Sequence, residues 1–386
     1  MNKTAKGKGT SYLCRAAAWA GSVLAAAVLI VMGLSYYFMG DWLGWMKLYR
    51  TLYIVETHYA DTVDKKTLLN GAMKGIVSTL GDKHSVYMAG DEFQNFQEQM
   101  KSSYAGIGVY IGSTDEGVLI AGVIDDSPAS EAALKRGDII MAIDGTPTTG
   151  MKLEDVSQKI RGPVNTDVVL TIREDGVDKD VTLTRRQIHM KTVMGQMVEG
   201  TNIGYIRIGV FSEDTGKEFT QEYQSLREQG MEKMILDLRN NPGGLVDQAV
   251  EVAGNFVPQG STVVSFTSSD GNTQMYTASG TGDTIPMAVL INENSASASE
   301  IVAGAVQDLA LGKIIGVRSY GKGTVQGVYG ISTDDAVKLT VAKYHTANGR
   351  EIDGAGIEPD ITVQLQPNDT VDYQLQKAMD VLKEEG

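Results

Sequence analysis

Cysteine occurs once, at Cys14, so the rest of the chain can hold no internal disulfide and no thiol nucleophile. Histidine is almost as scarce. His58, His84, His189 and His345 lie far apart, without the paired spacing of a ligand set, so no metal site is expected. No serine sits in a GxSxG elbow, which removes the usual start of a Ser-His-Asp triad. Acidic residues are missing from the first 40 positions, where the only charges are Lys3, Lys6, Lys8 and Arg15. The remainder carries 30 basic and 48 acidic side chains, a net of −18. So acidic a body repels phosphate backbones, and nucleic acid is not an expected partner.

Charge is also missing from residues 16–39, a run of 24. At ~1.5 Å per residue such a helix spans about 36 Å, enough to cross a bilayer core of about 30 Å. Basic residues precede the run. The positive-inside rule therefore puts residues 1–15 in the cytoplasm as a basic tail and the body outside the cell membrane. A cleaved signal peptide is the competing reading. Its apolar core is usually only about 7–15 residues and ends at small residues. This run is longer and ends in "SYYFMG". Tyr36, Tyr37, Trp42 and Trp45 suit an interfacial aromatic belt, so a single-pass, uncleaved anchor is expected.

Residues 41–100 read as a helical segment, with Leu48, Leu52, Val55 and Tyr59 at helical spacing and a break at Gly81. Residues 101–186 change to short strands and turns. "GVYIG", "VLIAGVI" and "DVVLTIRE" alternate, Asp144-Gly145 marks a hairpin, and Leu153, Val156 and Ile160 form one face of a short helix. "SPASEAALKRGDIIMAIDG" resembles a PDZ domain. The resemblance implies a groove that takes a peptide C-terminus as an added strand. Backbone N–H groups around Gly106, Ile107 and Gly108 would hold the terminal carboxylate, and Arg161 is a further candidate for it. Residues 187–386 alternate strands with helices, the pattern of an α/β layer with a largely parallel sheet.

Three stretches here can carry chemistry. "GVRSYGKG", residues 316–323, approaches a phosphate-binding loop, but Gly323 stands where the magnesium-binding hydroxyl belongs. "SYGK" fits SxxK with Ser319, although its partner motifs SDN and KTG are absent. "NSASASE", residues 294–300, places Ser297 and Glu300 as a capping box before an apolar helix. A helix N-terminus also stabilises an oxyanion, so one serine can serve both purposes. "DLRNNPGG" brings Gly243 and Gly244 to a strand-to-helix turn that can present free N–H donors.

In order, these elements together with "GKGTVQ" and "ANGREIDGAGIEPDI" resemble the carboxyl-terminal processing peptidases, or tail-specific proteases, over nearly the whole chain after the anchor. The resemblance implies an α/β fold: a ClpP/crotonase-like peptidase core with an inserted PDZ domain and an N-terminal transmembrane helix. It implies Ser297 as nucleophile, Lys322 as base and Gln326 in support, with Ala298 and Gly243 or Gly244 forming the oxyanion hole. No cofactor is called for. The expected partners are protein or peptide substrate C-termini and the membrane, and the homo-oligomeric state stays open. "GDKHSVYM" departs from the family pattern, with Lys83 where proline is more usual. A dyad makes physical sense, because burial disfavours an ammonium and frees an amine to take the serine proton. A membrane-tethered PDZ adaptor with an inactive core and a nucleotide-binding protein are the alternatives; peptide turnover and ATP binding would discriminate them.

Overall fold

The computed structural model describes residues 7–174 and 176–384, with side chains from Trp19 onward. The first six residues of the expected basic tail lie outside the described residues. Two units result, residues 1–81 and residues 82–386.

The first unit is helical. Gly7–Met39 is one continuous helix, followed by Gly44–His58 and Lys65–Ser78. Asp64 caps the third helix, its Oδ2 accepting from the Thr67 N–H at 2.9 Å. Within the first helix, Trp19–Met39 is long and apolar enough to cross a membrane by length and composition. Its large apolar side chains are exposed, and Tyr36 stacks on Trp42 with ring centroids 4.7 Å apart.

In the second unit the helical pattern expected through residue 100 is interrupted. Val86–Ala89 is a strand paired antiparallel with Asp335–Lys338, and the helix resumes only at Asp91–Lys101. The bulky, strand-prone Val86-Tyr87-Met88 finds a sheet partner about 250 residues away, a pairing no local pattern reveals.

A six-stranded sheet forms the base of the unit. Its order is Val193–Met197, Ile203–Ile208, Lys233–Asp237, Met287–Ile291, Gly312–Gly316, Ile361–Thr362. The first pair is antiparallel and the rest are parallel. The strands read as continuous apolar runs because both faces are covered. Met234 and Leu236 face a cluster with Phe219 and Val252 from the helices Thr215–Glu228 and Val246–Ala253. Ile235, between them, faces Ala378 and Leu382 of the helix Tyr373–Glu384 on the other side. Truncating such a residue to alanine costs about 2–5 kcal/mol.

Next to this sheet lies a five-stranded antiparallel one, built around the strand Asp335–Thr346. That strand pairs with Val86–Ala89, with Thr262–Ser268 and with Thr324–Gly330.

The PDZ fold is a separate sheet with its own core of Ile120, Ile140, Val156, Leu170 and Ile172. The chain enters and leaves it through one ribbon, Ser103–Gly106 paired with Arg186–His189.

Candidate active site

The end of the strand Lys233–Asp237 feeds the turn "LRNNPGG", and the end of Met287–Ile291 feeds "NENSASAS". The strands are parallel neighbours, so both turns emerge at the same sheet end. Three serines crowd there, and their partners separate their roles. Ser295 Oγ donates to the Leu238 carbonyl at 2.8 Å and accepts from the Asn292 N–H at 2.9 Å. Ser299 Oγ donates to the Asn241 carbonyl at 3.0 Å. Both are wholly buried and stitch the two turns together. Ser297 instead lines a cavity of about 1090 Å³.

Ser297 caps the helix Ala298–Asp308 in an unusual backbone state, φ 55° and ψ −113°. This region suits glycine and is strained for serine, a cost that persists only where the surroundings impose it. The capping box is the restraint: Glu300 Oε2 accepts from the Ser297 N–H at 2.7 Å.

Glu300 does more than cap. Its carboxylate, wholly buried, also accepts from Ser319 Oγ at 2.5 Å, the Gly321 N–H at 2.7 Å and the Lys322 N–H at 3.0 Å. One side chain thus ties the serine turn to the loop that carries Lys322. Burial pushes its carboxyl above the ordinary range, opposed by those same hydrogen bonds. Ser319 also accepts from the Ile357 N–H at 2.7 Å, so the serine of "SYGK" is a bracing group away from the cavity lining.

Lys322 is half-buried and lines the cavity with Ser297. Burial holds its ammonium below the usual lysine range; Lys338 adds to this, while Glu300 and Asp82 pull the other way. Tyr344 braces the same loop. Its hydroxyl donates to the Lys322 carbonyl, and its N–H donates to the Gly323 carbonyl at 2.9 Å. Gln326 lines the cavity too. A register shift between Val325 and Gln326 sets its direction, and its Nε2 donates to Thr324 Oγ1 at 2.9 Å. The amide nitrogen is therefore engaged by Thr324.

The two glycines differ. A Cβ on Gly243 would stand 2.7 Å from Ser297 Cβ and 2.8 Å from the Ala298 nitrogen, so its close approach defines the wall beside the serine. Its own N–H is taken by Asn241 Oδ1 at 2.8 Å. The N–H groups of Gly244 and Ala298 make no hydrogen bond among the described residues. Gly244, at φ 143°, packs against Phe211, whose carbonyl oxygen would lie 1.9 Å from an added Cβ.

The segment before Val86 meets the site as well. Ser85 Oγ donates to Asp82 Oδ2 at 2.6 Å and accepts from the Thr340 N–H at 3.0 Å. Lys83 Nζ donates to Tyr320 OH at 2.9 Å, next to the Lys322 loop. Sequence patterns pointed to Ser297, Lys322 and Gln326; the bracing by Glu300, Tyr344 and this segment went unseen. For Glu300 the capping box was a signal, while Tyr344 left none in its spacing.

In the PDZ fold, Ile107, Gly108 and Arg161 line one small groove with Tyr110, Ser157 and Ile160. Gly106 instead belongs to the ribbon, paired with Arg186. Arg161 Nη1 donates to Glu98 Oε2 at 3.0 Å, and its guanidinium lies 4.7 Å from the Tyr104 ring centroid. Glu98 lies on the helix Asp91–Lys101, whose Phe96, Gln99 and Met100 line the large cavity.

Comparison with known proteins points to one family. Residues 202–363 match Peptidase family S41, residues 119–174 the PDZ domain, and residues 39–92 the Activating protease CtpB N-terminal domain. Carboxy-terminal processing protease CtpA of Bacillus subtilis (strain 168) is 36% identical over 321 residues, covering 83% of this chain and 69% of that protein. Carboxy-terminal processing protease CtpB of the same strain is 34% identical, covering 83% of this chain and 68% of its own length. Among solved structures, a photosystem II D1 C-terminal processing protease is 27% identical with a TM-score of 0.50, covering 91% of this chain and 95% of that one. The chain belongs to the carboxy-terminal processing proteases of family S41 and is a serine peptidase carrying a PDZ domain.

Proposed function

We propose that this peptidase processes extracytoplasmic proteins near their C-termini by a Ser-Lys acyl-enzyme mechanism, tethered to the membrane by residues 16–39. The observation that carries the reading is the sorting of the serines. Ser295 and Ser299 are committed to holding turns together, whereas Ser297 opens on a cavity that also holds a lysine whose charge burial disfavours.

In this reading neutral Lys322 takes the proton from Ser297 Oγ as the oxygen attacks the peptide carbonyl. The oxyanion meets the N–H of Ala298 and that of Gly244, the free donors of the pair of turns. The resulting ammonium returns its proton to the departing amine. Water, deprotonated by the same lysine, then releases the acyl group. The Gln326 carbonyl oxygen orients the amine between these steps. The core is of the ClpP/crotonase-like kind, in which such a serine sits at a helix N-terminus beside a parallel sheet. A substrate C-terminus adds to the PDZ sheet, its carboxylate meeting the N–H groups of Ile107 and Gly108. Arg161 completes that site once it leaves Glu98.

The test is cleavage of an exported substrate protein by full-length wild type, Ser297→Ala and Lys322→Ala. Each variant should stay folded and lose turnover, and the double variant should be no worse than either, because the two act as a unit. A folded Ser297→Ala protein with wild-type turnover would refute the assignment. For the tether, a protease added outside cells stripped of outer layers should digest the body but leave the N-terminal tail; a mature N-terminus beyond Met39 would show cleavage instead.

A further inference from the structure

The large cavity is lined by three charged groups: Asp247, Lys322 and a second lysine, Lys338. Lys338 belongs to the strand Asp335–Thr346, two residues before Thr340. Residues two apart share a face of a strand. Thr340 Oγ1 meets the Gln326 amide at 3.4 Å, so Lys338 stands on the face of the sheet that carries Gln326. It is half-buried and forms no ion pair among the described residues. Its Nζ contact is a ring: the ammonium lies 5.5 Å from the centroid of Phe96, another cavity residue. In a chain with 48 acidic side chains, a partly desolvated cation left without a carboxylate is a costly arrangement.

Resting on the Ser-Lys reading above, we propose that Lys338 is a positioning residue that acts through Lys322: as an unpaired ammonium in the same cavity, it favours the uncharged amine that accepts the serine proton. Two cations lining one cavity repel, and loss of a proton from either relieves the repulsion. Lys338 packs its ammonium against the Phe96 ring, and burial disfavours the charge of Lys322. The other titratable groups beside Lys322 are Glu300 on the serine helix and Asp82 and His84 before Val86; burial favours the neutral His84 ring. Glu300 and Asp82 favour the ammonium, so Lys338 is the counterweight on the remaining side.

The test is the pH profile of kcat/KM for the full chain in detergent, comparing wild type with Lys338→Met, Lys338→Gln and Lys338→Arg. The profile rises as Lys322 loses its proton. Removing the neighbouring charge makes that loss harder, so the acid limb should move to higher pH by about one unit. Activity near neutrality should fall about tenfold and recover at alkaline pH, with KM little changed. Arginine should restore the wild-type limb. Folded Met and Gln variants with an unmoved limb would overturn the proposal. So would an unmoved limb with KM raised only for acidic peptides, which would make Lys338 a substrate-binding group. If Lys322→Ala keeps wild-type turnover, the dyad itself has failed, a separate outcome read in the same assay.

Discussion

Replacing Glu300 by glutamine removes one acceptor oxygen and adds two donors at the point where the serine turn and the lysine loop meet. Each carboxylate oxygen serves two donors. Oε2 accepts from the N–H groups of Ser297 and Lys322, and Oε1 from Ser319 Oγ and the Gly321 N–H. With its NH2 toward Ser297 and Lys322, the glutamine orphans two backbone N–H groups. Turned the other way, it orphans the Gly321 N–H and the Ser319 proton; the Ser319 oxygen is already shared with Ile357. Either orientation costs two buried hydrogen bonds, roughly 2–6 kcal/mol at about 1–3 each. Against a total stability of about 5–15 kcal/mol this is large, and Tm should drop by on the order of 10 °C. Activity should suffer more than stability, because a misplacement of ~1 Å between base and nucleophile costs about 100-fold. Thermal unfolding followed by circular dichroism measures the first effect. The rate at which a fluorophosphonate labels Ser297, taken well below the lowered Tm, measures the second. A glutamine variant with wild-type Tm and labelling rate would mean that Glu300 is a passive cap.

Lys322→Met should raise Tm at pH 7. The folded state disfavours the lysine's charge, so the unfolded chain binds the extra proton and stability rises with pH between the folded value and about 10.4. The gain from methionine should therefore shrink as pH climbs through that window; a variant less stable than wild type at pH 7 would contradict it. Gly243→Ala should leave a folded protein that labels slowly if at all, since the new methyl falls 2.6 Å from the Ala296 carbonyl oxygen and 2.7 Å from Ser297 Cβ. A normal labelling rate would show the wall to be plastic. Glu98→Gln should tighten binding of peptides with a free C-terminus by up to about fivefold, because a half-exposed ion pair is worth about 0.2–1 kcal/mol and no longer competes for Arg161. Amidated peptides should show no gain in the same calorimetric titration.

What the sequence made legible was whatever repeats at short range. The alternation of strands and helices after residue 187 announced a largely parallel sheet, and the parallel pairing of Lys233–Asp237 with Met287–Ile291 agrees. The Asp144-Gly145 turn marked a hairpin of the PDZ fold, between the strands Ile139–Ile143 and Thr146–Pro147. "NSASASE" marked a helix start with Ser297 as its cap, although nothing local decides how Ser295 and Ser299, which alternate with alanine around it, are used. That choice depends on which hydroxyl meets Leu238 and Asn241, about 57 residues upstream, and only folding decides it. The antiparallel sheet around Asp335–Thr346 was illegible for the same reason: its partners come from three distant parts of the chain. Lys83, read as a departure from the family pattern, turns out to meet Tyr320 beside the lysine loop.

The order in which the site's parts occur along the chain has a consequence for biosynthesis. Gly244, Ser297, Lys322, Gln326 and Tyr344 all lie in the last 40% or so of the sequence, and the sheet beneath them closes only with Ile361–Thr362. A chain emerging from the ribosome has its apolar first helix and its PDZ fold complete long before Ser297 and Lys322 can come together. In the proposed topology, with export led by the N-terminus, translocation can thus be under way before the parts of the site have met.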